Sequence, residues 1–475
     1  MSKSSYILVI FGITGNLAQI KLIPALYDLA SHGDLPEDFT LLGLGRAPMD
    51  QQEFKSYFRS VLDQPNRHHQ HPIDPQIVNQ LTKGLHYLSA DVENPDSFAA
   101  VKEFIGRRPD CPNRIFYLAT YPLLYPRIFN QLQTYGLNDQ TCGWVRVVIE
   151  KPMGNSLSTA HDLNLLLAKY YSENQIFRLD HYLGKETLQN LLSFRFGNGL
   201  FEPLMTREFI DNIQITVAED FGIGKRGSYF DPTGDLIDMG QNHLLQMLAA
   251  ATMDPPLEFS NAAVTARRIE LIRRLVPDPD QIVFGQYEGY SSEPHVLPGS
   301  QTETFFALKA SLRHPRFKNI PVYLRSGKYL AQTISEISVV FKNRTPRIFS
   351  HLEHGLDPNV LIYRIQPNEG IVVRFLSKIP GPDFHLQESY MQYCYRSSGG
   401  ELPDPYEKLL SDAFCGDQTF FNDAAEVEAQ WRFIDPLVAA KNTHPVHIYP
   451  RGSWGPPEAM ELGPWLEPST AFCTL

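Results

Sequence analysis

The sequence has 475 residues, is 43% hydrophobic and 20% charged, and carries a formal net charge of -11. An acidic chain without a basic run is a poor candidate for binding nucleic acid or an anionic membrane. It has no apolar run of roughly 18 residues that could span a membrane and starts without a signal-peptide pattern, so we expect a cytoplasmic protein.

The cysteines and histidines show no metal-ligand spacing. The five cysteines are scattered along the chain, and the histidine-rich stretch from 64 to 75 is typical of a loop. We therefore predict no metal site, and cysteines that stay reduced and serve in packing.

A strand followed by a glycine turn opens the chain. The apolar run 6–11 is typical of a buried parallel strand, and two glycines and an alanine follow at three-residue intervals. The glycines allow a tight turn that a pyrophosphate can approach, and Ala18 lets the next helix pack closely on the strand. A plain strand–turn–helix is the alternative. The predicted dinucleotide-binding residues of this turn are Gly12, Thr14, Gly15, Asn16 and Leu17.

Arg46 follows the second predicted strand, 39–45. In NAD-binding folds an acid commonly binds the ribose 2′-hydroxyl in this region, whereas an arginine suits a 2′-phosphate. With Thr14 nearby in the fold, Arg46 favours NADP over NAD. A solvent-facing arginine is the alternative.

The pattern of predicted strands changes along the chain. Strands at 85–89, 114–119 and 145–149 alternate with helical or polar segments, which indicates a doubly wound parallel sheet. Beyond about residue 200 strands follow one another without intervening helices, which indicates a large, mostly antiparallel sheet covered by helices. We predict a Rossmann-like dinucleotide-binding domain over residues 1–178 and an α+β domain for substrate binding and dimerisation over 179–475.

A dense charged stretch, 178–186, lies between a short predicted strand and a predicted helix. A helix start favours a phosphate because backbone N–H groups and the positive end of the dipole are exposed there. His181 and Lys185 are four residues apart, so on a helix they would share one face and could bind a phosphate dianion. A polar helix start with a Lys–Glu surface pair is the alternative.

This stretch closely resembles the RIDHYLGKE signature of glucose-6-phosphate dehydrogenases, with Leu179 in place of isoleucine. Residues 150–154 resemble the family's EKPFG motif, 113–119 its FYLALPP strand, and 238–246 its D-x-x-QNHLLQ motif. The resemblance extends in order to residue 456. The departures are Asn16 for aspartate in the glycine turn, Thr120-Tyr121-Pro122 in place of LPP after the FYLA strand, Met153 for phenylalanine, and Thr333 where some members carry a basic residue.

The resemblance implies oxidation of glucose 6-phosphate at C1 to 6-phosphogluconolactone with hydride transfer to NADP, the first step of the oxidative pentose phosphate pathway. It implies that His243 is the general base, since a neutral imidazole can take the C1 hydroxyl proton near pH 7. Asp180 would bind the other ring nitrogen and fix the tautomer. The chemistry requires no metal.

The resemblance also implies the remaining site residues, which divide by role. His181, Tyr182 and Lys185 would hold the phosphate, and Glu219 and Asp238 the sugar hydroxyls. Lys21, Lys151 and Lys328 would balance charge around sugar and cofactor. Lys151 would lie between cofactor and sugar. Tyr121 follows the predicted strand that ends near 119, and because that strand end faces the ligand crevice of an open parallel sheet, we expect Tyr121 beside the nicotinamide.

The family tends to form dimers and tetramers, so we expect a homodimer or homotetramer. Two other functions stay open. One is a dehydrogenase of the same fold that acts on another hexose or hexose phosphate. The other is a catalytically silent protein that binds NADP or sugar phosphate as a regulator.

Overall fold

The computed structural model describes residues 5–64, 73–108, 110–343, 357–382, 384–398, 402–469 and 472–473. Part of the histidine-rich stretch, 65–72, lies outside them. The chain forms two compact units. The first comprises Met1–Gly154, Ser158–Gly184 and Pro403–Val427, and the second comprises Asn155–Leu157, Lys185–Leu402 and Glu428–Leu475. The domain boundary at residue 178 stays a prediction.

A parallel sheet of six strands organises the first unit. The strands are β1 (Ser5–Phe11), β2 (Asp38–Gly45), β3 (Leu85–Ser89), β4 (Asn113–Leu118), β5 (Val145–Ile149) and β6 (Ile176–Arg178). They lie in the order β3-β2-β1-β4-β5-β6, with every neighbouring pair parallel. The predicted doubly wound sheet is confirmed, and its strand order reverses direction between β1 and β4, where such folds bind dinucleotides.

Helices alternate with these strands, and three of them begin at a side-chain cap. They are α1 (Ile23–His32), α2 (Gln51–Leu62), α3 (Pro75–Leu81), α4 (Pro95–Gly106), α5 (Tyr125–Thr134) and α6 (Leu157–Tyr170). Asp50, Asp74 and Asn94 start α2, α3 and α4, because each side chain accepts a hydrogen bond from a backbone N–H of the first turn.

A ten-stranded sheet forms the centre of the second unit. Its strands are β7 (Ile210–Ala218), β8 (Leu275–Val276), β9 (Ile282–Tyr287), β10 (Phe305–Leu312), β11 (Pro321–Gly327), β12 (Ile334–Phe341), β13 (Val360–Gln366), β14 (Gly370–Lys378), β15 (Leu386–Cys394) and β16 (Val446–Tyr449). The order is β15-β14-β13-β12-β7-β11-β10-β9-β16, with β8 beside β10. Among the described strands of this sheet, only β7–β11 and β9–β16 pair in parallel, so the mostly antiparallel sheet is confirmed.

The remaining helices are α7 (Glu186–Gly197), α8 (Gly227–Phe230), α9 (Leu245–Thr252), α10 (Asn261–Ile272), α11 (Pro405–Cys415), α12 (Ala424–Ala440) and α13 (Pro457–Glu461). In the second unit α7 and α10 pack against α9, and α9 packs against β12. In the first unit α11 packs against α1. No helix in the described part of the chain is long and apolar enough to cross a membrane.

Four of the five cysteines are paired, contrary to the prediction of reduced, packing cysteines. Cys111 bonds Cys142 and Cys394 bonds Cys473, with Cα–Cα distances of 4.9 and 5.4 Å, while Cys415 is exposed and free. The partners are 31 and 79 residues apart in sequence, so only the fold brings them within bonding range.

Candidate functional site

The turn after β1 depends on glycine. Gly12 has φ of 87°, and a Cβ there would lie 2.5 Å from the carbonyl oxygen of Ala119. The N–H groups of Gly12 and Ile13 donate to the Leu44 carbonyl at 2.9 and 3.1 Å, and that of Gly15 donates to the Gly12 carbonyl at 2.9 Å. The turn therefore lies at the carboxyl end of β1, beside the point where the strand order reverses. Because its glycines carry no side chain, a pyrophosphate can approach its backbone closely.

Arg46 is exposed directly after β2, beside the same turn. A Cβ on Gly45 would lie 3.1 Å from the Thr14 hydroxyl oxygen, so the end of β2 packs on the glycine turn. The predicted cofactor residues Gly12, Thr14, Gly15 and Arg46 thus share one sheet edge, and Arg46 brings a positive charge to that edge. Tyr121 follows β4 at the same end of the sheet and is 74% exposed.

The helix after the turn starts irregularly. Residues Ala18–Leu22 form a π-helical turn, and α1 starts at Ile23 with Pro24 in its first turn. Proline cannot donate the backbone hydrogen bond that a continuous helix needs, which accounts for the change of helix type. Lys21 lies in the π-helical turn, with its Nζ 2.9 Å from Asp404 Oδ2.

Two residues near this lysine were not predicted from the sequence. Asp404 caps α11 by accepting from the Tyr406 N–H. The Tyr406 ring stacks on His181, with centroids 6.3 Å apart and planes 15° apart, and lies 6.0 Å from the Lys21 ammonium. Asp404 lies 383 residues after Lys21, so the sequence offers no local signal for this contact.

Buried acids lie at the ends of β5 and β6. The Tyr117 hydroxyl donates to Glu150 Oε1 at 2.5 Å. Burial raises the pKa of Glu150 to about 7, although the Tyr117 hydrogen bond and the charge of Lys151 oppose the rise. Asp180 is also buried, and its Oδ1 accepts from the Tyr182 N–H at 2.9 Å.

The prediction that His181 and Lys185 share a helix face is wrong. Residues 181–184 form a turn, and α7 starts only at Glu186, with Lys185 as its capping residue. The Asp180 side chain holds the Tyr182 N–H in the turn, which competes with helix formation. The Lys185 ammonium instead donates to Gln366 Oε1 at 2.5 Å, at the end of β13.

In the second unit, the ends of two parallel strands bring Glu219 and Lys328 together. Glu219 follows β7 and Lys328 follows β11, and these strands are parallel neighbours. The Lys328 ammonium lies 2.6 Å from Glu219 Oε2 and 4.0 Å from Asp238 Oδ2. Lys328 is 1% exposed. Burial works to lower its pKa, but the surrounding carboxylates outweigh burial and raise the pKa above its usual value.

Asp238 and His243 lie on a π-helical segment, Leu236–Leu244, that leads into α9. The α-helical hydrogen-bonding pattern starts only at Leu245. The Tyr229 hydroxyl donates to Asp238 Oδ1 at 3.4 Å, and the His243 side chain is fully buried. Segments of π-helix are rare in proteins, and those that occur often lie at functional sites. No residue pattern in the sequence predicts them.

Thr333, which replaces a basic residue of some relatives, has a local role. Its hydroxyl oxygen accepts from the Asp220 N–H at 3.0 Å, one residue after Glu219. The threonine therefore fixes the loop that follows β7 and adds no positive charge there.

Comparisons with known proteins match both halves of the chain. The model of the "Glucose-6-phosphate dehydrogenase, NAD binding domain" matches residues 9–190, and that of the corresponding C-terminal domain matches residues 192–464. The chain is 36% identical to a glucose-6-phosphate 1-dehydrogenase of Chlamydia muridarum, over 96% of this chain and 94% of the relative.

Two solved structures are similar over nearly their whole length. One is a glucose-6-phosphate 1-dehydrogenase from Mycobacterium avium, with a TM-score of 0.88, 31% identity, and coverage of 98% of this chain and 99% of that one. The other is a glucose-6-phosphate dehydrogenase in complex with its substrate glucose-6-phosphate, with a TM-score of 0.88, 30% identity, and coverage of 97% of both chains.

Proposed function

The chain belongs to the glucose-6-phosphate dehydrogenase family, and on that premise we propose that it oxidises glucose 6-phosphate at C1 to 6-phosphogluconolactone. It is an oxidoreductase whose cofactor is NADP. The observation that carries the proposal is the continuous match of both family models, in order, over residues 9–190 and 192–464.

We assign His243 as the general base. Loss of hydride from C1 requires removal of the C1 hydroxyl proton, and a neutral imidazole is a suitable acceptor near pH 7. Asp180 is assigned to the other ring nitrogen, where a carboxylate fixes the tautomer and stabilises the imidazolium. The burial of each residue supports these assignments, because a buried acid or base keeps its orientation and is shielded from solvent.

The substrate's phosphate is assigned to His181, Tyr182 and Lys185. Their placement around the start of α7 supports this, because the first backbone N–H groups of a helix favour an anion. Lys21, which lies beside the His181–Tyr406 ring stack, and Lys151 add positive charge.

The sugar hydroxyls are assigned to Glu219 and Asp238, with Lys328 as their shared cation. The contacts of 2.6 and 4.0 Å between the Lys328 ammonium and these carboxylates support this assignment. A carboxylate has acceptor capacity for both an ammonium and a hydroxyl, so each can bind sugar while it stays paired.

NADP is assigned to the glycine turn, with Gly12, Thr14, Gly15, Asn16 and Leu17 facing the pyrophosphate. Arg46 would bind the 2′-phosphate, and Tyr121 and Lys151 would lie near the nicotinamide. When bound, the cofactor supplies the hydride acceptor.

We propose a homodimer or homotetramer. Strand β15 is an edge strand of the ten-stranded sheet and exposes Tyr390, Met391 and Tyr393. Exposed apolar side chains on a sheet edge favour association. Light scattering after size exclusion tests this, and a monomer at all concentrations would contradict it.

We also propose a cytoplasmic location, which the acidic composition and the family support. The disulfides Cys111–Cys142 and Cys394–Cys473 weigh against it, since disulfides are rare in reducing compartments. Cell fractionation decides the matter, and recovery outside the cytoplasm would overturn the proposal.

The function is tested by following reduced nicotinamide absorbance with purified protein. Four arms combine NADP⁺ or NAD⁺ with glucose 6-phosphate or free glucose. Rapid reduction only with NADP⁺ and the phosphorylated sugar supports the proposal. Equal rates with free glucose would contradict the phosphate site, and no reduction with detectable ligand binding would favour a regulator.

A further inference from the structure

Asp235 is a buried acid to which neither the sequence nor the proposed reaction assigns a role. It directly precedes the π-helical segment Leu236–Leu244, and its side chain is 0% exposed. Its backbone N–H donates to the Glu303 carbonyl at 3.1 Å, which fixes the residue in place. The polar groups that face its carboxylate are the Ser326 hydroxyl and the Lys328 ammonium.

The nearest opposite charge is Lys328. Its ammonium lies 3.5 Å from Asp235 Oδ1, compared with 2.6 Å for Glu219 and 4.0 Å for Asp238. One buried ammonium therefore faces three carboxylates, of which Asp235 and Asp238 are buried and Glu219 is partly exposed. A single positive charge cannot fully offset the desolvation of two buried carboxylates while it also pairs with Glu219, so the three acids compete for it.

The surroundings of Asp235 favour its protonated form. The charged and titratable groups that face it are Lys328, Glu219 and Asp238, with Tyr449 on β16 and the Ser326 hydroxyl on β11. Burial raises the pKa of Asp235 to about 7, Lys328 and Ser326 oppose the rise, and Glu219 and Asp238 add to it. The charge of Asp235 therefore changes near neutral pH.

We propose that Asp235 is a positioning residue that competes with Glu219 and Asp238 for the Lys328 ammonium, and so sets how strongly these two carboxylates bind the sugar hydroxyls. The inference rests on the proposed function, which places Glu219, Asp238 and Lys328 at the sugar. It adds a residue that touches neither substrate nor cofactor and acts through Lys328.

The sign of the effect follows from the competition. Ionised Asp235 attracts the Lys328 ammonium and weakens its pairing with Glu219 and Asp238. These two carboxylates are then stronger acceptors for the sugar hydroxyls, so KM for glucose 6-phosphate is low. Protonated Asp235 releases the ammonium to the other two acids, so KM is high. Asp235→Asn imitates the protonated form at every pH.

The test measures KM and kcat for glucose 6-phosphate from about pH 6 to about pH 8. The ratio of KM in Asp235→Asn to KM in the unchanged protein cancels titration of the substrate's phosphate. We expect this ratio to be near one at the acid end and about fivefold at the alkaline end, the size of an ordinary net hydrogen-bond contribution, with an unchanged kcat ratio.

Glu303→Gln is the matched control. Glu303 is also a buried carboxylate, but its Oε1 pairs with Lys441 at 2.6 Å instead of Lys328. Its KM ratio should not vary with pH.

A flat KM ratio for Asp235→Asn in an active enzyme, or a change carried by kcat, overturns the positioning role alone. At about pH 8 the melting temperature of Asp235→Asn should be no lower than that of the unchanged protein, because the substitution removes a buried charge that is only partly compensated. A variant that fails to fold therefore also contradicts the inference. Inactivity of the unchanged protein overturns the proposed function, and this inference with it.

Discussion

Substitution of Glu150 by glutamine should stabilise the protein against unfolding at alkaline pH. The carboxyl has an ordinary pKa of 4.5, and burial raises it to about 7 in the folded state. The folded protein therefore keeps this proton at pH values where the unfolded chain has lost it. By linkage, the free energy of unfolding falls as the pH rises from about 4.5 to about 7, and the destabilisation is complete above that window.

The magnitude follows from the two pKa values. Between about pH 5 and about pH 8 the difference in proton binding integrates to about 1.8 pH units, or ~2.5 kcal/mol. Glutamine keeps a carbonyl oxygen to accept from the Tyr117 hydroxyl and cannot ionise. The unfolding free energy of Glu150→Gln relative to the unchanged protein should therefore grow by about that amount over the interval.

Urea unfolding followed by circular dichroism at both pH values measures this difference. Because the two proteins are compared at the same pH, the titration of other groups with a raised pKa, such as Asp28, cancels from the difference in unfolding free energy. Glu103→Gln is the control, since Glu103 is an exposed residue of α4 that pairs with Arg107. The unfolding free energy of this variant relative to the unchanged protein should be the same at both pH values. A growth below ~0.5 kcal/mol for Glu150→Gln would refute the reasoning, since that is the usual error of additivity.

Three kinetic predictions concern the assigned site. Arg46→Ala should reduce the preference for NADP⁺ over NAD⁺ in kcat/KM; an unchanged preference would show that the 2′-phosphate binds elsewhere. His243→Ala should lower kcat by about 10²–10⁴-fold while binding of glucose 6-phosphate in calorimetry persists, because only the base is lost; near-normal turnover would remove His243 from this role. Lys185→Ala should raise KM for glucose 6-phosphate by an amount that corresponds to roughly 1.5–3 kcal/mol of binding free energy, as expected for loss of a charge-assisted hydrogen bond. The control is Lys169→Ala, which removes an exposed lysine on α6. An equal KM in the two variants would contradict the phosphate assignment.

Local sequence patterns predicted elements whose residues share one environment. Strands β3 and β5 have the predicted bounds, Leu85–Ser89 and Val145–Ile149, because each is a short β-type run between turn residues. The glycine turn was also readable, since Gly12 needs a backbone conformation that other residues rarely adopt.

Elements without such a pattern were missed. Strand β15 exposes side chains on both faces along most of its length, so it has no alternation of polar and apolar residues. Asp404 and Tyr406 reach the first unit only through the fold, across hundreds of residues. Asp235 is an acid within a mixed segment, and only its burial beside Lys328 distinguishes it.

The assignment of Pro403–Val427 to the first unit affects how the protein forms during synthesis. After Gly184 has been made, more than two hundred further residues must be translated before α11 becomes available to cover α1. At about 5–20 residues per second this takes on the order of tens of seconds. The amino-terminal unit therefore stays incomplete until most of the chain has been made, and a nascent chain stalled before residue 403 leaves the face of α1 that α11 covers exposed to chaperones and proteases.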